Sequence, residues 1–220
     1  MSYNIAVDGP AGAGKSTIAK AVAKRMNLIY VDTGSMYRAL ALFIVRQKIA
    51  LDDREKIIEK CGEADVTIRY EDGIQVVYLN GENVNAYLRT EEVGNAASAI
   101  SPIPEVRKKL VELQRKLAAE SDCIMDGRDI GTCVLPHAQK KVYLTASSEI
   151  RAKRRYEELQ AKGETCDLKK IQADIEERDY RDMHRETSPL KQAEDAVLVD
   201  TSDMTIEEVV ERLTALCARE

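Results

Sequence analysis
The stretch Gly9-Pro10-Ala11-Gly12-Ala13-Gly14-Lys15-Ser16 fits the pattern G-x-x-x-x-G-K-[ST] at every fixed position. An apolar run, Ile5 to Asp8, leads into it. Lys15 to Met26 leads out, with Ile18, Ala19, Val22, Ala23 and Met26 on one helical face and Asn27 as the stop. Strand, glycine turn and helix in that order restrict the chain to an α/β fold, in which ligands meet the carboxyl ends of parallel strands. The glycines let the main chain wrap a phosphate chain with its N–H groups inward, and the helix adds the positive end of its dipole. Gly9 to Thr17 is therefore the expected cradle for the phosphates of a nucleoside triphosphate. Lys15 is expected to reach the β- and γ-phosphates, and the Ser16 hydroxyl to ligate Mg2+. A ligand-free turn would explain the glycines, but not Lys15 and Ser16 directly behind them.

The rest of the chain keeps the same alternation. Leu28–Asp32, Cys123–Asp126, Val142–Thr145 and Val197–Asp200 read as four more buried strands, giving a five-stranded parallel sheet flanked by helices. Helices are expected over Ser35–Arg46 and Glu105–Ala119, and Thr205-Ile206-Glu207-Glu208 reads as a capping box opening a last helix to Cys217. Val66 to Val84 breaks the pattern. Its apolar runs are separated by Asp72-Gly73 and Asn80-Gly81, which are hairpin turn signals. Helical stretches at Arg54–Cys61 and Thr90–Ile100 bound this small antiparallel meander, and Pro102 and Pro104 mark the return to the main domain. The chain thus reads as one domain over residues 1–220, with an inserted β-containing subdomain over about residues 62–100.

Composition narrows the function classes. A net charge of −5 argues against general binding to nucleic acid or an anionic membrane. With no Trp and one Phe, there is no aromatic platform on which to stack a strand of bases. Five cysteines, Cys61, Cys123, Cys133, Cys166 and Cys217, form no C-x-x-C pair and read as reduced thiols. Two histidines leave a metal hydrolase or a Ser-His-Asp enzyme little to work with. No signal-like segment opens the chain, so a cytoplasmic protein is expected, and a monomer, since no exposed apolar stripe is evident.

Two further strand ends carry chemistry. Asp32-Thr33-Gly34-Ser35-Met36-Tyr37-Arg38 sets a carboxylate, hydroxyls, a Tyr and an Arg at the edge of the sheet where ligands bind. A helix N-cap alone would account for Asp-Thr-Gly, but not for Tyr37 and Arg38 in the first turns of an apolar helix. Asp126-Gly127-Arg128-Asp129-Ile130-Gly131-Thr132 clusters three charges beside two glycines, costly unless they meet water or a ligand. Arg128 can grip a phosphate with its planar fork, and Asp129 can accept from sugar hydroxyls. Arg151, Arg154 and Arg155 follow, then Arg178, Arg181, Asp182 and Arg185; the spacing of 178, 182 and 185 places them on one helical face. Phosphoryl transfer from a tetra-anionic nucleotide to a dianionic acceptor needs several such cations. No N/T-K-x-D guanine motif is present.

Taken together, I-A-V-D-G-P-A-G-A-G-K-S-T, D-T-G-S-M-Y-R, R-T-E-E-V-G-N-A-A-S, D-G-R-D-I-G-T and E-R-D-Y-R-D-M-H-R resemble bacterial cytidylate kinases, of the nucleoside monophosphate kinase group. The resemblance spans nearly the whole chain. It implies ATP as phosphoryl donor with Mg2+, CMP and dCMP as acceptors, and a lid at about residues 148–166 that brings Arg151 or Arg155 over the ATP phosphates. Acceptor contacts would fall on Thr33, Tyr37, Arg38, Arg107, Arg128, Asp129, Arg178, Asp182 and Arg185. Lys15, Arg128, Arg151 and Arg185 would act on the transferred group. Thr33 stands where many relatives have Ser, which keeps the hydroxyl. A different acceptor (UMP, AMP or shikimate) and a nucleotide-responsive binding module are the rival readings. The inserted meander weighs against the shikimate reading, and intact Lys15 and Ser16 weigh against the binding module.

Overall fold
A computed structural model describes residues 2–219. β1 (Asn4–Asp8) runs into the glycine loop and α1 (Lys15–Met26). Asn27 ends that helix with φ 55°, its N–H donating to Ala23 O, a left-handed cap that an Asn side chain tolerates. β2 (Ile29–Asp32) follows, then α2 (Thr33–Arg46) and α3 (Arg54–Cys61). α2 begins two residues earlier than the expected Ser35, because the Asp32 carboxylate accepts from Ser35 N–H and so caps the helix from the strand's last residue.

The insert is β3 (Val66–Glu71), β4 (Ile74–Leu79) and the two-residue β5 (Glu82–Asn83), a separate antiparallel sheet. Both turns are as the sequence requires: Asp72-Gly73 (φ 50° and 75°) and Asn80-Gly81 (φ 49° and 82°) pair positive φ angles, matching the twist of the flanking strands. A single 3-10 turn at Asn85–Tyr87 leads to α4 (Glu91–Ile100), and α5 (Pro104–Glu120) opens with Pro104 in its first turn. β6 (Cys123–Gly127) then leads through a π-helical turn at Ile130–Val134 to β7 (Lys140–Thr145). α6 (Ser148–Ala161), α7 (Leu168–His184), β8 (Val197–Asp200) and α8 (Ile206–Leu216) complete the chain, α8 opening with the expected capping box.

The main sheet has the order β2-β6-β1-β7-β8, every pair parallel. Strand alternation divides the interior in two. Ile5, Val7 and Ile124 face α1 and α8, where Val22, Val209 and Leu213 are buried. Ala6, Cys123 and Met125 face the other way, into a larger cluster with Met36, Leu40, Ile100 and Leu110. The second cluster extends without a break into the insert through Val77, Leu79 and Val84, so meander and main domain share one core. Each fully buried aliphatic side chain of this kind contributes roughly 1.5–3 kcal/mol.

The register pairs Asp32 with Asp126 and Asp8 with Gly127, bringing three carboxylates to the same end of the sheet. At the opposite rim, β8 is four residues long, with Val197 and Leu198 exposed at 42% and 50%. It is preceded by a turn in which Ala196 N–H donates to Ala193 O and the Lys141 ammonium holds the Asp195 carboxylate at 2.8 Å. All five cysteines are free, with Cys61, Cys123 and Cys217 buried. Among the described residues, no helix is long and apolar enough to cross a membrane.

Candidate active site
A cleft of about 880 Å3 opens at the carboxyl ends of the strands. Its walls are the glycine loop and start of α1, the β2–α2 junction, α4, the β6 end with the loop after it, α6, α7, and the turn into α8. Gly9 is required where β1 enters the glycine loop: with φ 147° its backbone passes so close to β7 that a Cβ would stand 1.9 Å from Leu144 O. Lys15 is buried, and its ammonium donates to Pro10 O at 2.7 Å. Burial, and next the neighbouring Arg128, hold its pKa well below the usual lysine value. The Ser16 hydroxyl donates to Asp126 Oδ2 at 2.9 Å, and Tyr30 OH donates to Asp126 Oδ1 at 2.8 Å. Burial, then the charge of Asp32, raise the pKa of the Asp126 carboxyl.

Arg151, on α6, ties this loop to α7. It donates from Nη1 to Ala11 O (2.9 Å), from Nε to Ala146 O (2.9 Å) and from Nη2 to Asp179 Oδ2 (2.6 Å), so its whole fork is engaged. Arg154 donates to Thr201 O at 2.7 Å. Arg155 is half-exposed and pairs with Glu158 at 2.8 Å.

The opposite wall is assembled from more distant pieces. Thr33 Oγ1 donates to Asp126 O at 2.7 Å, fastening the start of α2 to β6. Arg128 Nε pairs with Asp182 Oδ2 at 2.9 Å. Arg107 pairs with Asp129, and its guanidinium lies 5.6 Å from the centre of the Tyr37 ring. Burial pushes the Tyr37 hydroxyl up to about 12. Asp8 braces the loop from beneath, its two carboxylate oxygens accepting from Ile130 N–H (2.8 Å) and Gly131 N–H (2.7 Å). Burial raises Asp8 to about 6 against the lowering effect of those two bonds.

Two arginines of this wall stand apart. Among the described residues, no carboxylate lies within ion-pair distance of Arg38 or Arg178. Arg178 Nε is buried without a hydrogen-bond partner, and burial, then Arg128, bring its pKa down to about 10. Arg38 is lowered too, by burial first, with Arg89 and Arg128 opposing its charge. Arg128 contributes to the lowering of Lys15, Arg38 and Arg178 alike, so positive charge is crowded around one cleft.

The cytidylate kinase family model matches residues 5–219. The chain belongs to that family. It is 48% identical to a cytidylate kinase of Caldicellulosiruptor bescii, over 97% of this chain and 94% of that protein. It is equally 48% identical to one from Lactobacillus johnsonii, over 96% of this chain and 92% of the relative. Solved structures with the same fold include a gluconokinase from Sinorhizobium meliloti 1021 (14% identity, TM-score 0.52, covering 99% of this chain and 92% of that one). An uncharacterized protein from Eubacterium ventriosum is another (12% identity, TM-score 0.54, covering 98% and 97%).

In this member of the cytidylate kinase family, most residues singled out from sequence line the one cleft: the glycine loop from Ala11 to Thr17, and Thr33, Tyr37, Arg38, Arg107, Arg128, Asp129, Arg151, Arg178, Asp182 and Arg185. One expectation needs correcting. Arg185 does not continue the helical face of Arg178 and Asp182, because α7 ends at His184 and Arg185 has an extended backbone (φ −65°, ψ 142°). Its side chain turns back, donating from Nε to Ser188 O (2.7 Å) and bringing Nη2 to 3.8 Å from Asp129 Oδ1.

Sequence reasoning gave no role to Asp8, Arg89, Asp179, or the lining residues Met204, Ile206 and Val209. A signal existed for the first. β1, β2 and the apolar part of β6 end in Asp8, Asp32 and Asp126, a repeat of one acidic residue at successive strand ends. Asp179 carried no such mark, since it reads as one more charge on a charged helix.

Proposed function
We propose that this chain transfers the γ-phosphoryl group of ATP to CMP and dCMP, releasing ADP with CDP or dCDP. The observation that carries this reading is the crowd of Arg38, Arg128 and Arg178 facing Lys15 across one cleft, two of the arginines lacking a carboxylate partner. That much uncompensated positive charge suits a tetra-anionic donor brought against a dianionic acceptor. Membership of the cytidylate kinase family, and the names of the relatives, support cytidine as the acceptor base.

ATP lies with its phosphates on residues Gly9 to Thr17 and its base toward Met204, Ile206 and Val209, beside Arg154. Lys15 leaves Pro10 O for the β- and γ-phosphates, and Arg151, already bonded to Ala11 O, flanks the same oxygens. The acceptor phosphate is gripped by Arg38, Arg128 and Arg178, while Thr33, Tyr37, Arg107, Asp129, Asp182 and Arg185 hold the nucleoside. The transition state is loose, so alignment and charge stabilisation do the chemistry without a dedicated base. The insert, about residues 62–100, serves as the acceptor-binding subdomain. The lid, about residues 148–166, excludes water as it closes.

Mg2+ fits the residues present. Ser16 Oγ and Asp126 Oδ2 stand 2.9 Å apart as an oxygen-only pair, and Mg2+ takes one or two such groups together with waters and phosphate oxygens. Ser16 would hold it directly and Asp126 through water. When bound, the cation would offset the negative charge of the phosphate oxygens.

Release of ADP from ATP–Mg2+, measured separately with CMP, dCMP, UMP, AMP, GMP and no acceptor, tests the reading. Turnover confined to CMP and dCMP is the expected result. Preference for UMP or AMP would overturn the acceptor assignment, and hydrolysis independent of acceptor would overturn transfer itself. Acting as a cytoplasmic monomer belongs to the same proposal, and light scattering that returns the mass of two chains would contradict it.

A further inference from the structure
β2 is an edge strand, with β6 on one side and no main-chain neighbour on the other. Ile29 N–H donates to Asp122 O on the β6 side, so strand alternation turns the peptide groups of Tyr30 and Asp32 toward the open edge. There the insert meets them with side chains. Tyr70 OH donates to Tyr30 O at 3.3 Å. The half-buried Gln75, on β4, does more. Its Oε1 accepts from Asp32 N–H at 2.8 Å, and its Nε2 donates to Asp32 O at 3.2 Å and to Ser35 Oγ at 2.7 Å. A carboxamide has the donor and acceptor of a peptide group, so Gln75 stands in for a neighbouring strand at one residue.

That residue stands at the start of the proposed acceptor side. Asp32 caps α2 through Oδ1, and its Oδ2 lies 3.3 Å from Arg89 at the far end of the insert. Thr33, Tyr37 and Arg38 follow directly. A main-chain ladder would spread the connection over a whole strand. Here one rotatable side chain takes both main-chain groups of Asp32, with Tyr70 on Tyr30 O and Arg89 beside the Asp32 carboxylate as the neighbouring polar links.

We propose that Gln75 is a positioning residue that makes the acceptor-side junction, Asp32 to Arg38, follow the orientation of the inserted meander. The proposal rests on the assignment of that junction to acceptor binding. It assigns Gln75 no contact with substrate; the effect passes through Asp32.

The test uses the full chain with Gln75→Met, which keeps the side-chain length without its hydrogen bonds, and Gln75→Ala. Both variants are expected to raise KM for CMP about tenfold, the scale of losing hydrogen bonds that leave partners unsatisfied, with KM for ATP within about twofold. Amide hydrogen exchange at Asp32 should accelerate about tenfold in both, while Val31, whose amide faces β6, stays unchanged. An unchanged KM for CMP, or an equal rise for both nucleotides, overturns the proposal. If the wild-type protein does not phosphorylate CMP, the kinase reading falls by itself. The exchange arm then decides the grip of Gln75 alone, and unaltered exchange at Asp32 sinks it.

Discussion
The two walls of the cleft are built on opposite plans. On the glycine-loop wall one short segment does most of the work, and its basic groups are matched to main-chain oxygens: Lys15 to Pro10 O, Arg151 to Ala11 O and Ala146 O. The facing wall draws on α2, α5, the loop after β6, and α7. Among the described residues it leaves Arg38 and Arg178 without carboxylate partners and Arg185 Nη2 without a hydrogen bond. The first wall is a preformed cradle, determined locally. The second is a set of crowded cations, and in the proposed reading a bound anion relieves their repulsion and recovers that free energy on binding.

Substitutions can break this comparison, the most severe first. Lys15→Ala should reduce turnover by more than about a thousandfold with every acceptor if, as proposed, the group acts on the transferred phosphoryl itself. An ADP-release assay retaining even a tenth of the activity would remove the cradle from the mechanism. Arg151→Met should cost roughly 3–5 kcal/mol of folding stability by urea titration, because it strands the buried Asp179 carboxylate as well as freeing the loop carbonyls. A loss below about 1 kcal/mol would mean that the loop holds its shape unaided.

Asp8 sharpens the comparison because it joins the two walls. Its folded pKa, about 6, lies above the ordinary aspartate value of 3.8. The folded state therefore holds the proton more tightly between those limits. The contribution is present in full below about pH 4 and is lost as pH rises through 6. Relative to Asp8→Asn, the wild-type protein should lose about 3 kcal/mol of stability from pH 4 to pH 7, with no further change above that. A flat difference across the range would show that the two N–H bonds from Ile130 and Gly131 fully offset burial.

Asp182→Ala is the mildest in scale and the most selective. It should lower kcat/KM for CMP about thirtyfold while KM for ATP holds within about twofold, since Asp182 pairs with Arg128 on the wall proposed to take the acceptor. Equal loss for both nucleotides would erase the distinction between the walls.

The same division explains what could be read from sequence. The cradle was legible because its determinants are adjacent in the chain: an apolar strand, glycines at fixed spacing, Lys15 and Ser16, and Asn27 to stop α1. The meander was legible from Asp72-Gly73 and Asn80-Gly81, whose positive φ angles leave few other conformations. The acceptor wall was legible as a list of residues but not as an arrangement. Helical spacing put Arg185 on a face that ends one residue before it, since nothing local distinguishes a helix that continues from one that stops at His184. Asp179 and Gln75 act only across the fold, through partners 28 and more than 40 residues away, and no local pattern announces such partners.

The far rim of the sheet has a consequence for how copies of the protein behave together. β8 offers an unpaired, partly apolar strand edge, the kind of surface on which neighbouring chains stack into aggregates. Its brevity is the protection, and the turn at 193–196, pinned where Lys141 grips Asp195, sets that brevity by stopping the strand at Val197. One buried lysine thus limits how much adhesive edge each molecule shows to its neighbours in concentrated solution.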